Sequence, residues 1–341
     1  MHGRMPDLST RGARPLAFVG ALGRSFLRAR LVGGLFLGLL GCDGRPPPDL
    51  PGAECPSGPC GNGDGEAIRP EGSVRIAAYN VHRLFDTVCD SGRCGGSEYE
   101  ELPTRDEFDA QVARLSGAIG LLDADVVLLA EVETQAGLDA LQARLPEFPH
   151  AVLGEIHEDA SVDVGVLSAF PITSVVTHRH RALTRPDGSS TRFAREFLEV
   201  HLDVNGKEVI VFAAHFKAKS NDDPGRRYAE ASAARDIVMQ AAARAPRALV
   251  VMGGDLNDTP GSAPIDALEK DGMLKRVAKD RPDDQTWTYN YSGRKQAIDH
   301  LFVANNAAGT YVPGSFRAVR EGSGYGGSDH AAVKADFMPG P

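Results

Sequence analysis

From Ser73 onward the chain alternates between short apolar runs and segments in which apolar residues recur every three or four positions. SVRIAAYNV (73–81) has the length of a strand. In RDEFDAQVARLSGAIGLL, Phe108, Val112, Leu115, Ile119 and Leu122 are spaced four, three, four and three apart, which draws one apolar stripe down a helix. DADVVLLAEV (123–132) returns to a strand-length apolar run, and QAGLDALQARL reads as a second helix.

The middle of the chain changes to hairpin patterning. DVGVLSAFPI is followed by REFLEVHLDVNGKEVIVFAAHF, where Asn205-Gly206 separates two β-rich runs; this dipeptide tolerates the positive φ angles of a two-residue hairpin turn. A long helical segment (GRRYAEASAARDIVMQAAAR), the run RALVVMGG, the hairpin-like TWTYNYSGRKQAIDHLFV and a last run HAAVKADF complete the pattern. Such a mixture of βα units and hairpins predicts an α/β fold of mixed sheets with helices outside. The sequence has no visible internal repeat or second domain boundary, so one folded domain is expected over 73–337.

Residues 1–72 are patterned differently. Six arginines (Arg4, Arg11, Arg14, Arg24, Arg28, Arg30) precede the apolar run LVGGLFLGLLG, which stops at Cys42. This is the layout of a secretory signal, and the run is shorter than the roughly 20 residues that span a bilayer. Leu39-Leu40-Gly41-Cys42 resembles a bacterial lipobox. A signal peptide over 1–41, a lipid on Cys42 and a place in the bacterial cell envelope outside the cytoplasm are therefore expected; an ordinary signal peptide with an incidental cysteine would predict secretion instead. Residues 43–72, rich in Pro and Gly with hardly a large apolar side chain, read as a tether.

Four further cysteines (Cys55, Cys60, Cys89, Cys94) form an even set that, outside the cytoplasm, predicts disulfides. Proximity favours Cys55 with Cys60 and Cys89 with Cys94, but all three pairings remain open. A four-cysteine zinc site fits the C-x4-C spacing poorly. The formal net charge is −9, and loss of residues 1–41 would make the remainder more acidic. That argues against general adhesion to polyanions but leaves room for a local basic groove.

Several strand-like runs end on residues unsuited to a core: Asn80 after SVRIAAY, Glu131 after VVLLA, His215 after VIVFAA, and Asp255 after LVVMGG, with Asn257 two residues on. Asp299-His300 and Asp329-His330 flank the last runs. Strand ends are where layered α/β proteins gather functional groups. Taken singly, each also suits a bland role, as a helix-start charge, a turn residue or a satisfied buried histidine.

Seven pieces in order (AAYNV, LLAEVE, VGVLSAFPI, FAAHFKAK, GGDLND, QAIDHLFV and GSDHAAV) resemble the endonuclease/exonuclease/phosphatase family, which includes deoxyribonuclease I, neutral sphingomyelinases and inositol polyphosphate 5-phosphatases. The resemblance covers residues 73–337. It implies a deoxyribonuclease I-like four-layer sandwich, two packed mixed β-sheets flanked by helices, and a Mg²⁺-dependent phosphoesterase that could also use Mn²⁺. By the same resemblance Asn80, Glu131 and Asp329 belong to the metal site, and His330 is the general base oriented by Asp299. Asp255 orients the nucleophile or manages the leaving group's proton, Asn257 donates to the phosphate, and His215 serves a phosphoryl or leaving oxygen, with Asp163 a candidate to orient it. These residue types suit the chemistry: hard oxygens for Mg²⁺, an imidazole that exchanges a proton near neutral pH, and an amide for developing negative charge.

Two positions depart from the abasic-site endonucleases of that family, which carry Asp where this chain has His82 and Tyr where it has His215. The chain thus looks closer to the deoxyribonuclease and phosphodiesterase side. Arg195, with Lys217, Lys219, Arg226 and Arg227, forms either a phosphate-binding patch or a solvated loop and helix start. Trp287, Tyr289 and Tyr291 alternate and are expected on one face of a strand, packed on the neighbouring sheet or stacking bases. The expected function is an extracytoplasmic nuclease or phosphodiesterase acting on a phosphoester such as nucleic acid, held at a membrane by the Cys42 lipid. A phospholipid or sugar/inositol-phosphate phosphatase and a non-catalytic binding module on the same fold are the alternatives.

Overall fold

Near-continuous apolar runs need cover on both faces, and the computed structural model, which describes residues 69–341, provides it. The expectations for the signal peptide, Cys42, most of the tether and the Cys55–Cys60 pair lie outside the described residues. The first elements are β1 (Val74–Leu84), α1 (Arg105–Leu121), β2 (Val126–Val132), α2 (Gln135–Gln142), β3 (His150–Gly154), β4 (Asp163–Ser168) and β5 (Ile172–Thr177). A short hairpin, β6 (Leu183–Thr184) and β7 (Ser190–Thr191), leads to β8 (Leu198–Val204), β9 (Lys207–His215), α3 (Pro224–Arg244), β10 (Leu249–Asp255) and α4 (Ala263–Glu269). Last come β11 (Leu274–Arg276), α5 (Asp283–Thr286), β12 (Tyr289–Tyr291), β13 (Arg294–Gln296), β14 (Asp299–Ala304), β15 (Thr310–Tyr311), β16 (Arg317–Val319) and β17 (Ala332–Met338).

One sheet runs β15-β17-β1-β2-β4-β3, with β16 also on β17; the other runs β11-β14-β10-β9-β8-β5. At the centre of each lies a parallel pair, β1 with β2 and β9 with β10, bordered by antiparallel strands. Both are therefore mixed sheets, as the βα and hairpin patterning predicts.

Side-chain alternation builds the layers. Val74, Ile76 and Ala78 of β1 and Val209, Val211 and Ala213 of β9 fill the core between the sheets. The alternate residues Ala77, Tyr79 and Val81 pack with Phe108, Val112, Leu115 and Ile119 of α1. On the far side, Ile210, Phe212 and Ala214 pack with Ala231, Ala234, Ile237 and Val238 of α3. Each fully buried Val, Leu, Ile or Phe contributes about 1.5–3 kcal/mol, so the two-faced central strands anchor the four layers.

Local signals fix the joints. Asn205 and Gly206 take φ of 55° and 84° in the β8–β9 turn. A reciprocal capping box between Thr104 and Glu107 starts α1, and Asp223 caps α3 ahead of Pro224. Cys89 and Cys94 form a disulfide in the loop after β1.

Candidate active site

The register places His215, Asp255 and Asp299 side by side across β9, β10 and β14. Each follows the row that fills the inter-sheet core, which includes Ala213, Val251 and Leu301. Polar groups thus take over where the apolar filling ends. On the facing sheet Asn80 continues the row of Ile76 and Ala78 in the same way.

Glu131 arrives by a different route. Val127 and Leu129 face α1, so simple alternation would send Glu131 to that side. Instead β2 bulges between Ala130 and Val132, and Glu131 adopts φ of 68°. A bulge re-aims a side chain in this manner; Glu131 Oε1 lies 3.1 Å from Asn80 Nδ2 and 3.9 Å from His215 Nε2. His82 and Arg83 also have left-handed backbone, with φ of 56° and 51°. That turn lets the His82 amide donate to Asn80 Oδ1 and the Arg83 amide donate to Glu131 Oε2, both at 2.9 Å.

Gly254, at φ 135°, passes so close to β9 that a Cβ would sit 2.0 Å from the Ala214 carbonyl oxygen. No side chain fits there, so the glycine is demanded by strand packing next to Asp255.

His330 completes the cluster. Its Nδ1 is 2.9 Å from Asp299 Oδ2, and its Nε2 is 3.9 Å from Asp255 Oδ2. The Ser328 hydroxyl donates to the Asn80 carbonyl at 2.8 Å and accepts the His330 amide at 3.0 Å, tying the end of β1 to the loop before β17. Thr288 Oγ1 accepts the Ile298 and Asp299 amides, and the Tyr289 ring lies 4.8 Å from the His330 ring.

Burial separates the titrations of these groups. Burial, then repulsion from Asp299, pushes Asp255 up to about 7. For His330 burial opposes the cation, but Asp299, followed by Asp255 and Asp329, outweighs it and raises the ring to about 10. His215 is held well below the ordinary histidine value by burial and then by the charges of Arg195 and His330. The two neighbouring rings are thus pushed in opposite directions.

A cavity of about 500 Å³ opens onto Glu131, His215, Asp255, Asn257, Asp329 and His330. Ligand atoms of Glu131, His215 and Asp255 lie within 4.8 Å of one another, as do those of Asp255, Asp299 and His330. Glu131 Oε1 and Asp255 Oδ2 flank the same Asn80 amide nitrogen, at 3.1 and 3.0 Å. Two converging carboxylates at a cavity wall suit a hard divalent cation. The Asn80 oxygen accepts from the His82 amide, and its Nδ2 ties the two carboxylates together. Asp329 lines the same cavity, with Oδ1 3.6 Å from His82 Nδ1.

The remaining expected residues divide. The Asn257 amide donates to Asp255 Oδ1 at 2.8 Å and its Nδ2 to the Phe216 carbonyl at 3.2 Å. Arg195 reaches the same carbonyl at 3.4 Å, next to His215. Lys217 Nζ is tied to the carbonyls of Ala218 and Ser220, whereas Lys219 lines the cavity. Arg227 is buried against Asp258 and Asp222, and Arg226 lines a different cavity. Asp163 accepts from the Ile156 amide and the Ser161 hydroxyl; no hydrogen bond joins it to His215, whose Nδ1 is buried without a partner among the described residues. The aromatic trio does not share one strand face: Trp287 precedes β12 and lies under Lys295 and Arg320, Tyr289 meets His330, and Tyr291 is 61% exposed at the cavity. Sequence reasoning missed Ser328, Thr288 and Arg83. The first two are ordinary small polar residues, and nothing but the assembled geometry singles them out.

The model of the endonuclease/exonuclease/phosphatase family matches residues 77–330. Among solved structures, the chain is similar to the endonuclease/exonuclease/phosphatase from Bacteroides vulgatus, with TM-score 0.56 and 16% identity over 78% of this chain and 99% of that one. It is also similar to D. rerio TDP2 complexed with single strand DNA product, with TM-score 0.53 and 17% identity over 78% and 99%. The human Nocturnin catalytic domain with bound sulfate anion gives TM-score 0.56 and 15% identity over 79% and 96%. At these identities the likeness is one of fold. Comparison with curated proteins finds no match.

Proposed function

Because the chain belongs to the endonuclease/exonuclease/phosphatase family, we propose that it hydrolyses phosphodiester bonds with the help of a divalent cation, Mg²⁺ or Mn²⁺, and that nucleic acid is its substrate. The observation that carries this reading is the His330–Asp299 pair opening onto the same cavity as Glu131 and Asp255. The single strand DNA product bound by the D. rerio TDP2 relative supports the substrate class.

In this reading Glu131 would hold the cation, with Asn80 tying it to Asp255 and Asp329 lining the same cavity. When bound, the cation supplies charge neutralisation for the phosphoryl oxygens and favours the uncharged form of His330. His330 Nε2 takes a proton from the attacking water while Asp299 stabilises the imidazolium, a role worth about 10²–10⁴ in rate. Asp255 orients that water. Neutral His215, with one nitrogen toward Glu131 and Asp255, donates to a phosphoryl or leaving oxygen, and Asn257 offers its second amide hydrogen to the phosphate.

A panel of phosphodiesters, phosphomonoesters and sphingomyelin, each with and without Mg²⁺ or Mn²⁺, tests the proposal. Metal-dependent cleavage of oligonucleotides and bis-p-nitrophenyl phosphate is expected. Turnover confined to monoesters or lipid headgroups would overturn it. Anchoring outside the cytoplasm through Cys42 belongs to the same proposal and rests on the sequence of residues 1–42; Cys42→Ala should release the protein from membranes.

A further inference from the structure

A second cavity, of about 540 Å³, is walled by Arg179, Arg181, Arg192 and Arg226 with Glu158 and His180. It adjoins the candidate active site along the chain. Ala194 lines it, and the next residue, Arg195, reaches the carbonyl of Phe216, the neighbour of His215.

The charges of this cavity are poorly balanced from within. Glu158 Oε1 accepts from Arg179 at 2.6 Å and from Arg192 at 3.3 Å, so one carboxylate oxygen serves two guanidiniums. Arg226 finds Glu230 at 3.6 Å and donates Nε to the Arg192 carbonyl. Burial lowers its pKa from the ordinary arginine value, Glu230 and Asp223 oppose that shift, and the charges of Arg179 and Arg185 add to it. The Arg181 side chain is exposed and has no partner among the described residues. Arg179 is 5% exposed, yet its Nε is buried without an acceptor among the described residues. A buried guanidinium with an unmet N–H is costly. Here it stands in the wall of a positive hollow, on a chain whose net charge is −9. Guanidinium forks match phosphate oxygens in pairs.

We propose that this cavity is a second phosphate site, receiving a backbone phosphate of the same nucleic-acid strand whose scissile phosphodiester lies at Asp255 and His330. It rests on the phosphodiesterase reading above. The strand is then gripped at two points, so substrates with one phosphate forgo the second grip.

The test uses the full chain carrying Arg181→Glu and Arg192→Glu, two exposed positions, with circular dichroism as the fold control. Anisotropy of a fluorescein-labelled single-stranded 12-mer in EDTA reads affinity independently of turnover. A rise in Kd of about tenfold or more is expected, with a salt slope shallower by about 1.4, because two phosphates of a single strand are no longer neutralised. With metal present, kcat/KM for the 12-mer should fall while that for bis-p-nitrophenyl phosphate stays within about twofold.

Unchanged 12-mer affinity overturns the site, as does an equal loss on both substrates. Loss of inorganic tripolyphosphate binding with 12-mer affinity retained would make the cavity a free-polyphosphate site and also overturn the proposal. If the double variant weakens 12-mer binding but the wild type hydrolyses neither substrate, the phosphodiesterase reading fails and the anion site stands. If bis-p-nitrophenyl phosphate is hydrolysed but 12-mer affinity is indifferent to the double variant, the reading stands and the anion site fails.

Discussion

The two central parallel pairs end at the same cluster in different ways. In one sheet, β1 and β2 end in irregular backbone: left-handed His82 and Arg83, and a bulge that swings Glu131 into the cavity with its side chain 17% exposed. In the other, β9 and β10 stay in register to their last residues, so His215 and Asp255 are 3% and 2% exposed. A carboxylate therefore meets two environments, as Glu131 and as Asp255. Glu131, at the cavity wall, can face a cation; Asp255, buried beside Asp299, is pushed up to about 7 and is placed to handle protons. Bulges deliver the first kind of group, and strict strand register delivers the second.

That contrast can be broken from either side. The largest effect is expected at the regular end: Asp255→Ala or His330→Ala should lower kcat for bis-p-nitrophenyl phosphate by about 10³-fold or more, with KM little changed and circular dichroism intact. Next comes the bulged end. Glu131→Ala should weaken apparent Mg²⁺ affinity, read from the metal dependence of the initial rate, by about 10–100-fold, whereas Ser328→Ala, which unties the two ends, should cost only about tenfold in kcat.

Backbone geometry gives a third test. Gly254→Ala puts a methyl group against the Ala214 carbonyl and should destabilise the domain by about 3–5 kcal/mol, seen as a lowered Tm. The smallest effect concerns a buried carboxylate outside the cluster. Burial, partly offset by the amides of Lys217 and Ala194, raises Glu230 to about 7. A carboxylate with a raised folded-state pKa favours the fold below its unfolded value, and that stability is lost as pH rises through the folded value. Tm of the wild type should therefore fall relative to Glu230→Gln between pH 4.5 and 7, by the equivalent of about 2 kcal/mol, and the gap should stay constant above pH 8.

Much of the regular end is legible in the sequence. The runs SVRIAAYN, VIVFAAH and LVVMGGD are apolar on both faces because helices cover one side and the opposite sheet the other, and a polar last residue then has to mark the rim. Asn205-Gly206 specifies its turn for an equally local reason. The bulged end is different, since alternation sends Glu131 toward α1 and only the extra residue in β2 reverses it. The arginine-walled cavity is assembled from separate stretches between Glu158 and Arg226, and no local pattern in the sequence brings them together. Arg226, grouped with Lys217 and Lys219 by proximity along the chain, lines the arginine-walled cavity and not the one beside His215, and Trp287 broke the alternation by lying ahead of the short strand β12.

The most direct test of the central claim is the initial rate of bis-p-nitrophenyl phosphate hydrolysis by the wild type, Glu131→Ala and His330→Ala across a Mg²⁺ titration. No turnover is expected without metal, with wild-type activity that saturates with metal, a Glu131→Ala rate partly restored at high Mg²⁺, and a His330→Ala rate that no Mg²⁺ concentration restores. Equal metal rescue of both variants, or wild-type turnover indifferent to Mg²⁺, would contradict it.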